Sequence, residues 1–267
     1  ATALLDAGSG FGILRALEAA DLVITKARSI GLGAAALGNC GDVARLAPYA
    51  ERIAEAGLVG LVMANDAGSG LVVAPHGGTR PLLSTNPLAV GLPRPGRRPI
   101  AFDLATSQIA VGAAKAATRR GTPAPGDTLI GPAGEPVTDP QALFDGLAAL
   151  LPLGGAAFGF KGTALGLLVE VLAGGLSGDG LSGDHPDRRG RNAVFLLALD
   201  PAAFGDVEGF HGRVDAFLER LRANPPRPGT QVVRVPGEHG PKPGPGSSIT
   251  ILDALWEELQ AARKPAE

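Results

Sequence analysis

The stretch GILRALEAADLVITKARSIGLGAAAL, residues 12–37, carries the clearest fold signal in the chain. Its apolar residues recur at helical spacing as far as Ile30, and Gly31 is a residue type that commonly ends a helix. The short apolar run Leu32–Leu37 that follows is predicted to be a strand. A helix that leads directly into a strand is typical of proteins whose sheets are covered by helices.

The alternation of strands and helices continues along the rest of the chain. Further strands are predicted at Leu58–Ala64, Pro87–Pro93, Pro99–Leu104, Ala193–Leu199 and Val232–Val235. Further helices are predicted over 43–56, 108–120, 162–176, 204–223 and 249–262. The Gly- and Pro-rich segments 65–86 and 121–140 are predicted to be loops and turns. This order predicts an α/β or mixed α+β fold without fixing its topology.

Composition excludes several classes of protein. The chain has 267 residues, 45% of them hydrophobic, and a formal net charge of −2, so a general nucleic-acid binder is not expected. No run of apolar residues is long enough for a membrane span. The single cysteine, Cys40, rules out an intramolecular disulfide and is consistent with a cytoplasmic location. Four isolated histidines and one cysteine argue against a protein metal site.

The familiar nucleotide-binding and hydrolase motifs do not occur. No G-x-G-x-x-G follows a strand and opens a helix, and there is no P-loop and no G-x-S-x-G. The glycines of Gly8–Gly12 have the wrong spacing and precede the first predicted strand, so they indicate an ordinary loop.

Other short motifs follow one another in a recognisable order. They are DAGSGFG at 6–12, NCGD at 39–42, VAPHGG at 73–78, STNP at 84–87, FDLATS at 102–107, PVTDP at 136–140, LPLGG at 151–155, FKG at 160–162 and VPGE at 235–238. Their order and spacing resemble the malate/L-lactate dehydrogenase-like family. That family includes ureidoglycolate and sulfolactate dehydrogenases and Δ1-piperideine-2-carboxylate reductases.

The resemblance implies a non-Rossmann α/β (mixed α+β) fold with a large mixed sheet flanked by helices. It implies a homodimer that uses NADPH or NADH on a small 2-oxo acid or cyclic imine. Residues 1–267 are then a single catalytic region, with the cofactor-binding part at roughly 65–180. The chain is expected to lack the family's N-terminal helical segment, which carries a Ser-His-Gly motif and an arginine for the substrate carboxylate.

Hydride transfer requires fixed donors that hold the cofactor, and loops rich in Gly, Ser, Thr and Asn supply them. Carried over from the family, the predicted cofactor-binding residues are Ser84, Thr85, Asn86, Asp103, Leu104, Ala105, Lys161 and Glu238. Structural alternatives remain open at four places: an ordinary turn at 85–87, a helix cap at Asp103, a surface lysine at Lys161 and a solvated loop glutamate at Glu238. The family's usual His-Lys-Gly-Tyr-Gly here reads FKGTA, residues 160–164, so Lys161 keeps its place among altered neighbours.

The proton donor is the least expected feature. Aligned on the family's Ser-Asn-His-x-Gly motif, Asp42 stands where the general acid histidine would be. An aspartate is ordinarily ionised at neutral pH, so it needs a buried site to donate a proton, but it can stabilise a cationic iminium directly. Asp42 can also be an inert helix cap. His76, in the VAPHGG loop, is the other candidate catalytic residue.

Two functions remain open from the sequence. The first is a divergent NAD(P)H-dependent reductase that acts on a small keto or cyclic imine compound and that could belong to specialised metabolism. The second is a family scaffold repurposed without hydride transfer, as a pseudoenzyme, a partner subunit or an enzyme of a different biosynthetic reaction.

Overall fold

A computed structural model describes residues 1–188, 190–238, 248 and 250–263. The chain divides into two compact units, Ala1–Gly237 and Glu238–Glu267. The larger unit contains all of the strands that the structure describes. They are β1 (Thr2–Asp6), β2 (Leu32–Cys40), β3 (Val59–Asp66), β4 (Leu88–Leu92), β5 (Ile100–Leu104), β6 (Leu129–Ile130), β7 (Pro136–Val137), β8 (Ala149–Leu150) and β9 (Asn192–Leu199).

Helices occur in both units. In the larger unit they are α1 (Gly12–Ile30), α2 (Ala47–Glu55), α3 (Val111–Arg120), α4 (Gln141–Phe144), α5 (Gly155–Phe158), α6 (Phe160–Val169) and α7 (Val207–Arg222). A π-helical segment, Glu170–Gly175, continues α6 directly, and a 3₁₀ turn, Pro201–Phe204, precedes α7. The smaller unit has α8 (Asp253–Ala262). None of the helices in the described part of the chain has the length and apolar character that crossing a membrane requires.

The mixed α/β fold with a large mixed sheet is confirmed. Six strands form one sheet in the order β1-β2-β9-β3-β4-β5, in which β1 and β2 run parallel and all other neighbours are antiparallel. A second sheet of three short strands has the order β7-β6-β8. The long central strand β9 therefore separates β2 from β3, and the ends of these three strands meet at one edge.

Helix α1 and strand β2 pack so closely that small residues are required between them. The buried face of α1 is rich in alanine, and Ala16, Ala19 and Ala20 are fully buried. A Cβ atom on Gly33 of β2 would lie 2.2 Å from the backbone oxygen of Val23 in α1. This close approach explains why a glycine, Gly33, stands near the start of strand β2.

Several sequence predictions need correction. The helix expected over 43–56 begins only at Ala47, after Ala44 adopts a positive φ of 54°. The helix expected over 162–176 begins at Phe160 and becomes π-helical at Glu170.

The strand expected at Val232–Val235 is wrong. No strand pairing involves these residues within the described chain, and Val235 is instead buried against Ile100 and Leu218. Its apolar character reflects side-chain packing without a backbone ladder.

The close packing of α1 on β2 generates a stability prediction. Gly33→Ala forces a backbone shift, so we expect the free energy of unfolding to fall by about 1–3 kcal/mol, measured by urea denaturation. Gly112→Ala is the matched control, because Gly112 lies in α3, where a Cβ atom would meet open space and helix propensity favours alanine by up to about 1 kcal/mol. Equal effects of the two substitutions would show that the close approach is not limiting.

Candidate active site

The two predicted cofactor loops lie side by side. Strands β4 and β5 pair with Ala89 opposite Asp103, which brings the segments 84–86 and 103–105 together. The backbone N–H and the hydroxyl of Thr106 both donate to the backbone oxygen of Thr85, at 2.9 and 3.1 Å. Ser84, Thr85, Leu104 and Ala105 are half-buried. The two loops that the resemblance predicts therefore lie in one location.

Helix α6 brings Lys161 to the same neighbourhood. The backbone N–H of Leu153 donates to the oxygen of Thr106 at 2.8 Å, and Gly162 N–H donates to the oxygen of Leu153 at 3.0 Å. Lys161 itself is exposed, with its Nζ 5.3 Å from the centroid of the Phe158 ring. Lys161 is thus an exposed residue next to Gly162, whose backbone is linked through Leu153 to the segment that carries Thr106.

A buried glutamate that the sequence reasoning missed connects the surrounding segments. Glu170, only 3% exposed, accepts hydrogen bonds from the side-chain amides of Asn86 at 2.7 Å and Asn65 at 3.0 Å. The backbone N–H of Ser182 donates to it at 2.8 Å, and the hydroxyl of Ser182 donates as well. Glu170 is the only charged residue between 162 and 176, and this lone charge in an apolar helix was the signal that could have identified it.

The role of Asn86 follows from this network. Its side chain is fully buried, and its amide nitrogen also donates to the backbone oxygen of Gly166 at 3.1 Å. Its φ of 38° lies in the left-handed region, which is uncommon for a residue with a side chain. The amide oxygens of Asn86 and Asn65 are buried without a hydrogen-bond partner in the described chain. Asn86 therefore shapes its loop from within.

Asp103 contacts the start of helix α2. Its Oδ2 accepts a hydrogen bond from the backbone N–H of Ala47, the first residue of α2, at 3.0 Å. A carboxylate at a helix N-terminus is favourable because it pairs with an otherwise unsatisfied donor and with the helix dipole.

Asp42 lies on a loop that is fixed at several points. Its side chain is exposed, and Oδ1 accepts from the N–H of Ala44 at 2.7 Å, so it shapes a turn rather than capping α2. The next residue is anchored on both sides: Val43 N–H donates to the Asn192 side chain at 3.1 Å, and the Tyr49 hydroxyl donates to Val43 O at 2.7 Å. Burial raises the pKa of Tyr49 to about 12, so this hydroxyl stays protonated.

A cavity of about 470 Å³ adjoins the Asp42 loop. It is lined by Ser9, Asn39, Cys40, Gly41, Arg188, Gly190 and Arg191. Ser9 and Asn39 have positive φ angles of 58° and 52°, and the Ser9 hydroxyl donates to Asn39 Oδ1 at 2.8 Å. Burial raises the pKa of Cys40 to about 11, so its thiol is a poor nucleophile at neutral pH.

A second carboxyl group that the sequence reasoning missed lies at the end of β3. Burial raises the pKa of Asp66, and the negative charges of Asp42 and Glu170 act in the same direction. The hydrogen bond from Gly68 N–H at 2.8 Å opposes this shift. Asp66 is therefore better suited than an ordinary aspartate to hold a proton near Asp42.

The remaining predicted residues lie elsewhere. His76 is exposed; its backbone N–H donates to the Thr163 hydroxyl at 2.9 Å, and its ring packs edge-on against Phe160 with centroids 6.0 Å apart. It thus neighbours α6, whereas Asp42 follows β2. Glu238 belongs to the smaller unit, where it is exposed. Across the described residues, no three His, Cys, Asp or Glu side chains converge as a metal site.

Comparison with known proteins adds independent information. A family model described as malate/L-lactate dehydrogenase matches residues 1–260. The chain is 36% identical over 264 residues to the L-lactate dehydrogenase of Cupriavidus necator, covering 96% of this chain and 74% of that protein.

Two further similarities extend this result. The chain is 38% identical over 240 residues to the Δ1-pyrroline-2-carboxylate/Δ1-piperideine-2-carboxylate reductase of Pseudomonas syringae pv. tomato, covering 88% of this chain and 66% of that protein. The crystal structure of malate dehydrogenase from Entamoeba histolytica superposes with a TM-score of 0.83 at 27% identity, covering 89% of this chain and 68% of that one.

The Glu170 network generates the prediction for this site. Glu170→Gln replaces an acceptor oxygen by an amide that must face a donor, so we expect the free energy of unfolding to fall by about 1–3 kcal/mol in urea denaturation. Glu18→Gln is the control, because Glu18 is exposed on α1 and pairs with Arg15 at the surface. If Glu170→Gln were as stable as this control, the network would contribute nothing to the fold.

Proposed function

This chain belongs to the malate/L-lactate dehydrogenase family, and from that premise we propose that it is a nicotinamide-dependent reductase of small cyclic imines that carry a carboxylate. The observation that carries the proposal is the carboxylate of Asp42 at the position where the resemblance predicts a histidine acid, beside a cavity with two arginines. The chain spans 74% and 66% of the two relatives compared above, so the activity of the whole protein is part of the proposal.

The preference for an imine follows from whether the substrate needs a proton from the enzyme when the hydride is added. Hydride addition to a ketone leaves a negative oxygen, which needs an acid. A protonated imine already carries its proton, and hydride addition turns it into a neutral amine. A carboxylate at the position of Asp42 stabilises a positive iminium by charge attraction and offers no such stabilisation to a neutral ketone. Asp66, whose pKa is raised, is the carboxyl better able to resupply a proton.

The described residues fit a nicotinamide dinucleotide in part. Lys161 offers an exposed ammonium that suits a phosphate or ribose, next to the Ser84–Asn86 and Asp103–Ala105 loops. The cofactor, NADPH or NADH, supplies the hydride when bound. The side chains of Asn86 and Asp103 are already engaged within the protein, so we assign them the task of holding these loops in shape.

We further propose that the chain is a homodimer. A helical segment with an unusually exposed apolar surface supports this: Phe158, Phe160, Leu167, Leu168, Val171 and Leu176 are each between 43% and 62% exposed. Sedimentation equilibrium of the full chain is expected to give twice the chain mass of 26.8 kDa. Leu167→Glu should shift that mass to one chain, whereas a wild-type mass of one chain would contradict the dimer.

The proposed activity is tested by the oxidation of NADPH and of NADH with two substrate sets. We expect Δ1-pyrroline-2-carboxylate and Δ1-piperideine-2-carboxylate to be reduced with a higher kcat/KM than pyruvate or oxaloacetate. Higher kcat/KM for the oxo acids would reverse the substrate assignment. Failure of both cofactors to bind or react would favour the repurposed scaffold without hydride transfer.

Variants separate the candidate residues in the same assay. Asp42→Asn should lower kcat/KM for the imines by roughly tenfold or more, because it removes the charge that stabilises the iminium. His76→Gln is the comparison, since His76 lies beside α6 rather than beside the cavity. A large loss in His76→Gln with none in Asp42→Asn would transfer the role to His76.

A further inference from the structure

The wall of the cavity beside Asp42 contains an arginine whose guanidinium group is held from one side. Arg191 Nε lies 2.9 Å from both carboxylate oxygens of Asp179, and one terminal nitrogen donates to Asp179 as well. The Asp179 side chain is 3% exposed and that of Arg191 is 16% exposed. The guanidinium is thus fixed in position, and Arg191 is one of the residues that line the cavity.

Asp179 is itself fixed by its neighbours. Its backbone N–H donates to the Ser177 hydroxyl at 3.2 Å, and its backbone oxygen accepts from His185 Nε2 at 2.9 Å. Burial of an ion pair costs desolvation energy and is weak evidence for a role in stability. A buried carboxylate that orients an arginine toward a cavity is the arrangement expected where the arginine must meet an anion.

Arg188 adds a second cation at the rim. It is exposed, and its backbone is held by Ser69 N–H, which donates to Arg188 O at 2.7 Å. Gly68 makes this approach possible, because a Cβ atom there would lie 2.2 Å from the same oxygen. The turn after β3 therefore fixes where Arg188 stands beside the cavity.

We propose that this cavity binds the carboxylate of the substrate through Arg191 and Arg188. The inference rests on the proposed function, because it assigns a subsite to the same substrate. A guanidinium group binds a carboxylate through two parallel hydrogen bonds, and Arg191 keeps the terminal nitrogen Nη1, for which the described residues provide no acceptor.

The charges around the cavity favour a carboxylate over a phosphate. The positive charges of Arg188 and Arg191 are offset by the buried Asp179, by Asp42 on the adjoining loop and by Asp6, whose carboxylate interacts with Arg191 and accepts a hydrogen bond from the cavity-lining Asn39. Among the described residues, a group with two or more negative charges would meet too little positive charge there. A zwitterion, with one carboxylate at the arginines and one cationic nitrogen toward Asp42, is matched at both ends.

Calorimetry with the full chain tests the subsite without turnover. The probe is pyrrole-2-carboxylate, a planar analogue of the imine substrate, titrated with and without NADP⁺; the uncharged pyrrole-2-carboxamide is its matched control. We expect the carboxylate to bind and the amide to bind at least about tenfold more weakly. Equal affinities, or no binding of pyrrole-2-carboxylate under either condition, would overturn the proposal.

Two variants locate the binding. Arg188→Gln and Arg191→Lys should each weaken binding by about tenfold or more, whereas Arg28→Gln, an exposed arginine at the end of α1, should leave it unchanged. Wild-type affinity in both cavity variants would refute the assignment. Arg191→Lys retains a positive charge to pair with Asp179. If this variant does not fold, Arg188→Gln, which alters an exposed residue, tests the proposal by itself.

The same titrations separate the subsite from two competing outcomes. If pyrophosphate bound more tightly than pyrrole-2-carboxylate and lost its affinity in Arg188→Gln, the cavity would be a phosphate site and the proposal would be wrong. If both arginine variants bound pyrrole-2-carboxylate more weakly, as expected, but no substrate were reduced with NADPH or NADH, the subsite would be upheld and the reductase activity would be refuted. If the imines were reduced but both variants bound pyrrole-2-carboxylate with wild-type affinity, the reductase activity would be upheld and the subsite would be refuted.

Discussion

The buried carboxylate of Glu170 accepts hydrogen bonds from three segments that are far apart in the sequence. Asn65 stands at the end of β3, Asn86 precedes β4, and Ser182 follows the π-helical segment. A carboxylate removed from water is costly unless donors surround it, so these segments can separate only at a large energetic cost. The positions of the predicted cofactor loop and of the turn toward the cavity both depend on this group.

The same constraint reaches Asp42 through a short series of hydrogen bonds. Asn65, which donates to Glu170, also accepts from the Asn192 amide through its backbone oxygen at 3.0 Å. Asn192, the first residue of β9, accepts from Val43 next to Asp42. Sheet strands and side-chain amides thus connect the predicted cofactor loops to the residue proposed to face the substrate. Because these groups are already ordered when the chain folds, little free energy is needed to order them when a substrate binds.

The sequence predicted best where one local pattern decided the outcome. The stretch 12–37 folds as expected because helical spacing, Gly31 and the apolar strand agree. The two-residue strands β6, β7 and β8 are too short to show a period, and Val232–Val235 is apolar for reasons of packing. For the site, the family motifs predicted cofactor loops at 84–86 and 103–105, and the fold brings these two loops together. The roles of Glu170, Asp179 and Asn192 depend on partners more than ten residues away, which no local pattern records.

The charges near the cavity are consistent with one class of substrate when an aspartate occupies the position of the family's histidine. A neutral histidine or its cation would place a proton donor beside the substrate, and a ketone would then be the natural acceptor of a hydride. With Asp42 in that place, the charge favoured beside the cavity is positive, while Arg188 and the Asp179-oriented Arg191 favour a negative group within it. Under the proposed function, these opposite preferences select a molecule with a cationic centre adjacent to a carboxylate. Recognition then depends on the separation of two charges, which a neutral ketone with one carboxylate cannot reproduce.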